Sequence, residues 1–381
     1  MRILVCASEY PPRGSGIADV AWRMVKEFEK RGHECVVCSP SGADVRLGSH
    51  RLIQRLGGIG VLYFWWCVQR HFSRRASKWD AVWLHWPMFL GHCPFPAAVA
   101  TFHGTYLGFS NMARDMKSPC HVRRYYAFME MAERRYLRSL EGKGCVFSAV
   151  SRRTAAELIS QGVAADRVTY VPVGVDTRRF QATGKAAEVR AELGIPPEAL
   201  VLLYVGRLSR PKNLFSLVDT FAELKNKWPR AALLVVGKGE LEGPLAGYVK
   251  KRELTDVRFV GFIPNQDLPR VYNCADFFIM SSTYEGQPVV LLEAMACGLP
   301  PILPDIPAMR DIVEESGLGL LVDFSDSHRA ARQVEEYVSG SKAQQDRSAV
   351  RDYVVSKMSS EVCAERYLGL LRKASRESPE A

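Results

Sequence analysis

Short apolar runs alternate with longer amphipathic stretches along this chain, and that alternation sets the first expectation of its fold. Residues 3–6, 35–38, 81–84, 97–102, 145–150 and 168–171 read as buried strands of the first half, since short, continuously apolar runs suit strands covered on both faces. Between them, residues 17–31, 123–140 and 152–161 read as helices, the first amphipathic and closed by Gly32. The second half repeats the scheme, with strands expected at 200–205, 233–236, 257–262, 277–280, 300–303 and 318–322, and closing helices at 343–357 and 360–373. Strands alternating with helices form parallel sheets covered on both faces. Ligands of such sheets bind beyond the carboxyl ends of the strands. At 381 residues the chain exceeds the usual span of one core, so the pattern predicts two α/β domains.

The most informative stretch is 281–298, SSTYEGQPVVLLEAMACG, directly after the apolar run that ends at Met280. Pro288 as first helical residue and Gly298 just past the last predict a strand, a loop and a helix. Glu285 then lies in the loop and Glu293 inside the helix. The helix start, at Val289 and Val290, offers N–H groups and a positive dipole to a phosphate, while carboxylates accept hydrogen bonds from sugar hydroxyls. Phosphate donors beside hydroxyl acceptors describe a pocket for a sugar nucleotide. Arg207 and Lys212 stand five residues apart after the strand 200–205 and could grip a diphosphate, although two surface charges would look the same. Gly14 and Gly16, between the first strand and first helix, either let backbone N–H groups approach an anion or form a plain turn. His103 ends another strand at the same edge, where a packing or surface role is the commoner fate of a lone histidine.

Charge adds a partner to this picture. Residues 1–175 hold 24 Lys and Arg against 13 Asp and Glu, whereas the remainder holds 27 against 28. A one-sided basic half suits an anionic partner, either a membrane surface or a polyanion, and no nucleic acid is expected. Arg46, Arg51, Arg55, Arg70, Arg74, Arg75 and Lys78 flank the run Leu62 to Val68, LYFWWCV. Basic residues around Trp and Phe fit an interfacial helix on anionic headgroups; a buried core with a basic solvent face is the open alternative. The ten cysteines follow no disulfide or zinc rhythm, which suggests a reducing compartment. Cys35 and Cys38, in an apolar strand, read as a buried structural pair. The opening MRILVCASEYPP lacks the core of a signal peptide, and no apolar run approaches the ~20 residues of a spanning helix. A cytoplasmic protein with peripheral contact at the inner membrane face is expected.

Glu285 and Glu293, with seven residues between them and Ala294 to Pro300 reading AMACGLP, resemble the E-x7-E signature of the retaining, GT-B-fold glycosyltransferases of family 4. The stretch Gly206-Arg207-Leu208 followed by Lys212-Asn213 is similar to that family's diphosphate loop. Gly237-Lys238-Gly239 resembles its G-x-G loop near the nucleotide, and Phe262 ends the strand whose following loop often meets the base. Gly14 and Gly16 hold the place of its glycine-rich first loop. His103 resembles its strand-end histidine, with Gly104 where many relatives carry Asp. Residues 171–176 resemble the P-N-G-V-D entry to the second domain, with Val173 in place of Asn.

The resemblance implies an α/β GT-B fold, two Rossmann-like domains facing a cleft. Residues 1–175 would bind acceptor and residues 176–359 the nucleotide sugar, with the last helix, 360–381, packing back on the first domain. It implies transfer of a hexosyl unit from a nucleotide-diphosphate sugar, a UDP-sugar before GDP-mannose, to a hydroxyl of a glycan or lipid-linked acceptor. Family members retain anomeric configuration without an obligatory metal or other cofactor, in keeping with the lack of any Asp-x-Asp. Arg207, Lys212 and the N–H groups of Val289 and Val290 are expected on the diphosphate, together with Gly14 and Gly16. Glu285, Gly286, Gln287 and Pro288 are expected on the donor sugar, Glu293 on the ribose, and Gly237, Gly239 and Phe262 at the nucleotide. His103, Glu285, Arg207 and Lys212 form the expected catalytic set. A sugar-nucleotide epimerase or an inactive scaffold of the same fold are the alternatives.

Overall fold

The computed structural model describes residues 1–11, 16–74, 78–89, 91–96, 98–184 and 186–376, leaving aside the side chains of 341–346. The chain divides into two compact units, one built from Met1–Gly174 with the stretch from Ser360 onward, the other from Val175–Ser359.

In the first unit seven strands form one sheet: β1 (Arg2–Ala7), β2 (Glu34–Ser39), β3 (Val45–Arg46), β4 (Ala81–His85), β5 (Val99–Phe102), β6 (Val146–Ala149) and β7 (Val168–Tyr170). Their order is β3-β2-β1-β4-β5-β6-β7 and every pairing is parallel. The central strands are largely apolar because they send alternate side chains into two different cores. Leu4 and Cys6 join Phe64, Trp65, Leu84 and Tyr136 on one side. Ile3 and Val5 join Phe28, Trp83, Tyr367 and Leu371 on the other. The helices Gly58–Phe72 and Cys120–Glu141 cover the first face, and Gly16–Lys30 with Ser360–Arg376 the second. The basic aromatic region holds two helices, His50–Leu56 and Gly58–Phe72, and β3 and the helix Tyr106–Asp115 are additions to the expected elements. Cys35 and Cys38 are not a pair. Three residues apart on a strand, they face opposite sides: Cys38 is buried with Cys6, while Cys35 packs, partly exposed, against the other core.

The second unit holds β8 (Val201–Val205), β9 (Ala232–Val236), β10 (Val257–Gly261), β11 (Phe277–Ile279), β12 (Pro301–Pro304) and β13 (Leu320–Val322), again all parallel, in the order β10-β9-β8-β11-β12-β13. The chain runs outward from β8 in one direction, then restarts beside β8 at β11 and runs the other way. The carboxyl ends of β8 and β11 therefore flank a topological switch point. The helix after β11 is Val289–Ala296, so Pro288 is its N-cap and not its first residue: with ψ at 120° its backbone is still extended. At the far end Leu299 N–H bonds to Ala294 O and Gly298 N–H to Met295 O, with Gly298 at φ +78°. That is a Schellman cap, which needs a left-handed residue and explains the glycine.

Candidate active site

The loops that leave β8 and β11 are tied together at the switch point. Thr283 N–H donates to Pro211 O at 2.9 Å, and Ser281 Oγ donates to Lys212 O at 2.9 Å and to Asn213 O at 3.1 Å. Residues 210–212 form a 3-10 turn that ends at Asn213 with φ +50°. This backbone places Lys212 Nζ 2.5 Å from Glu285 Oε1, an ion pair with Glu285 only 9% exposed. Gln287 and Pro288 are buried beside it, and Gly286 is partly exposed. The N–H groups of Val289 and Val290 have no acceptor among the described residues. Arg207 is exposed at the start of the same loop. The described residues thus bring cation, carboxylate and free helix-start N–H groups to one edge, the chemistry needed to bind a phosphate and a polyol together.

Other expected site residues fall differently. Glu293 is 4% exposed, and its Oε2 accepts the Tyr272 hydroxyl at 2.9 Å. Sequence reasoning missed Tyr272, whose hydroxyl is the partner of this carboxylate. Gly237 and Gly239 have a packing reason of their own. A Cβ on Gly237 would stand 1.9 Å from Gly206 O, and one on Gly239 2.2 Å from Leu208 O. The loop after β9 lies directly on the loop after β8, joined by Leu208 N–H to Lys238 O at 3.0 Å. Phe262, just past β10, is 67% exposed.

In the first unit Gly14 lies outside the described residues, and Gly16 opens the helix Gly16–Lys30. His103 follows β5 and is partly exposed. Its Nε2 lies 3.3 Å from Nδ1 of His85, the last residue of β4, and the two rings are near parallel at 17°. Burial pushes His103 down to about 4 and His85 well below the ordinary histidine range, with the neighbouring ring lowering His85 further. Both imidazoles are therefore neutral at neutral pH. The next residue, Trp86, adopts φ +49°, a conformation uncommon for a bulky side chain. Beneath the pair runs a buried polar row: Trp83 Nε1 donates to Thr101 Oγ1, which shares a 2.8 Å bond with Ser148 Oγ. The helix Tyr106–Asp115, shortly after His103, offers no empty anion site. Buried Glu133 accepts its N–H groups at Tyr106 (2.7 Å) and Leu107 (3.2 Å), together with Tyr136 and Gln161. Burial raises that carboxyl to about 7. Neither Glu133 nor His85 carries a local motif, so sequence reading had no handle on them.

Two family models match. The one described as glycosyl transferases group 1 covers residues 185–350, and the one described as glycosyltransferase family 4 covers residues 14–179. The alpha-monoglucosyldiacylglycerol synthase of Streptococcus pneumoniae is 24% identical over 345 residues, 84% of this chain and 75% of that protein. Among solved structures, HepE of Anabaena in complex with UDP and glucose aligns over 98% of this chain and 100% of its own, with TM-score 0.75 and 17% identity. Sucrose-phosphate synthase of Thermosynechococcus elongatus aligns over 99% and 100%, with TM-score 0.79 and 20% identity. The two family models together span both units, and the chain is a glycosyltransferase with the GT-B fold. The chain belongs to family 4 of these enzymes.

Proposed function

We propose that this glycosyltransferase moves a hexosyl unit from a nucleotide-diphosphate sugar to a hydroxyl of a glycan or lipid-linked acceptor, with retention of configuration and no obligatory metal. A UDP-sugar is the first choice of donor and GDP-mannose the second. The observation that carries this is the convergence of Lys212, Glu285 and the free N–H groups of Val289 and Val290 at the β8–β11 switch point. In this reading Lys212, Arg207 and the two N–H groups meet the negative charge that grows on the leaving diphosphate. Lys212 trades its carboxylate partner for phosphate, which releases Glu285 to the sugar hydroxyls. Gly286, Gln287 and Pro288 line the sugar, Glu293 takes the ribose, and Phe262 gives the base a stacking face. Calorimetric titration with UDP, GDP and their sugars tests the donor. Loss of UDP affinity in Lys212→Gln and in Glu293→Gln is expected. Equal affinity in both variants would remove the diphosphate and ribose assignments together.

The exposed face of the helix Gly58–Phe72 favours an acceptor held at an anionic membrane. Trp65 is fully buried, but Ile59, Tyr63 and Trp66 are 51%, 43% and 47% exposed. With Arg70, whose guanidinium lies 5.7 Å from the Trp66 ring, they form one stripe at helical spacing. Residues 45–79 contain seven basic residues and no Asp or Glu. Both sequence-level alternatives therefore describe part of this helix: one side is core, and the other suits lipid headgroups. Among the described residues no helix is long and apolar enough to cross a membrane. Co-sedimentation with phosphatidylglycerol vesicles should exceed that with phosphatidylcholine, fade with salt, and fall in Tyr63→Ser/Trp66→Ser. Equal recovery on both vesicle types would sink the membrane reading.

A further inference from the structure

We infer that His85 is a positioning residue: it fixes the proton of His103 on Nδ1, so that His103 works as a hydrogen-bond donor and not as a base. The inference rests on the proposed glycosyl transfer for its kinetic consequence, though not for its structural content. The two rings face each other at 3.3 Å through Nδ1 of His85 and Nε2 of His103. One of those nitrogens donates, and a neutral imidazole carries a single N–H. If His103 donated, the only N–H of His85 would sit on its Nε2, which is buried with no partner. A buried N–H without an acceptor costs about 1–3 kcal/mol, and orphaned donors are rarer in proteins than under-used acceptors.

The opposite arrangement removes that orphaned donor. His85 Nδ1–H donates to His103 Nε2, the bare Nε2 of His85 stays among apolar contacts, and the proton of His103 moves to Nδ1. That nitrogen has no partner among the described residues, and His103 is partly exposed. Both nitrogens of His103 are then committed, one accepting from His85 and one donating outward. No lone pair remains to abstract a proton, so His103 holds a sugar or acceptor oxygen in place. The rigidity of the device comes from the sheet: His85 pairs with Thr101 in the β4–β5 ladder, and Trp83 packs 4.0 Å from the His85 ring.

Heteronuclear NMR of protein labelled with 15N-histidine at pH 7.5 tests this directly, with His103→Asn used to assign the signal. Wild type should show His103 protonated on Nδ1. His85→Phe should shift it toward the Nε2–H form, and His85→Asn, whose side-chain amide donates from nearly the same place, should restore Nδ1–H. In donor hydrolysis with UDP-glucose or GDP-mannose, His85→Phe should lower kcat about three- to tenfold, the worth of one hydrogen bond. KM should stay within about twofold, and His85→Asn should recover most of the loss. Nε2–H on His103 in wild type, or an unchanged tautomer in His85→Phe, would overturn the inference. Should wild type bind and hydrolyse no nucleotide sugar, the glycosyl-transfer reading fails, while the NMR result still decides the role of His85.

Discussion

Lys212 and Glu285 stand 73 residues apart in sequence and 2.5 Å apart in space. Because Glu285 is nearly enclosed, Lys212→Ala leaves a buried carboxylate without its cation, at about 1–3 kcal/mol of stability. The same change should lower turnover by about 10²–10³, the usual loss on removing one preorganised donor from a growing negative charge. Glu285→Gln separates the two effects. It should keep the fold, shown by an unchanged urea midpoint, and lose turnover through poorer sugar binding. At the histidine pair the prediction concerns pH. The folded state of a lowered histidine binds its proton only near pH 4, whereas the unfolded chain binds it near 6.5, so stability is full above about 6.5 and lost as pH falls toward 4. Glu133 works in the opposite sense, losing stability as pH rises from 4.5 to about 7. Comparing wild type with His103→Asn cancels the Glu133 contribution. Acidification from pH 7.5 to 4.5 should cost wild type about 2 kcal/mol more than the variant, measured by urea unfolding. A difference independent of pH would refute the lowered histidine.

Among the elements, the helix Val289–Ala296 was the most legible, because Pro288 and Gly298 bracket it and both have backbone reasons for their places. The pattern also announced nearly every strand, since continuous apolar runs arise when both faces of a parallel strand are covered. It missed what depends on strand order. Nothing local says that β11 returns to the side of β8, so the sequence shows Lys212 and Glu285 as two separate duties and not as a pair. Likewise, Trp65 and Trp66 look alike in sequence, and only the helix phase decides that one is core and the other exposed. The G-x-G loop teaches a different lesson. Its glycines resemble a nucleotide loop in sequence, yet the backbone of the loop after β8 occupies the space their Cβ atoms would need. Gly237, at φ +131°, should tolerate no side chain. Gly237→Ala is expected to cost about 1–3 kcal/mol or more through overpacking, even in the absence of any ligand. An unchanged melting temperature in the ligand-free variant would return that glycine to a purely ligand-facing role.

At the scale of the whole molecule, charge and chemistry are divided between the two units. The basic excess and the exposed aromatic stripe belong to the first, and the switch-point pair to the second. UDP should therefore slow hydrogen exchange chiefly at residues 206–213 and 281–297, and by binding the folded form alone it should raise apparent stability. Protection confined to other segments would place the nucleotide elsewhere. The division of the chain also has a temporal consequence. The helix Ser360–Arg376 completes the core that Ile3, Val5 and Trp83 begin, although the whole second unit is translated in between. At about 5–20 residues per second, the ribosome needs roughly ten to forty seconds to traverse that unit. During that interval one greasy flank of the nascent amino-terminal sheet is covered by the helix Gly16–Lys30 alone. The part of the enzyme born first is the last to be finished.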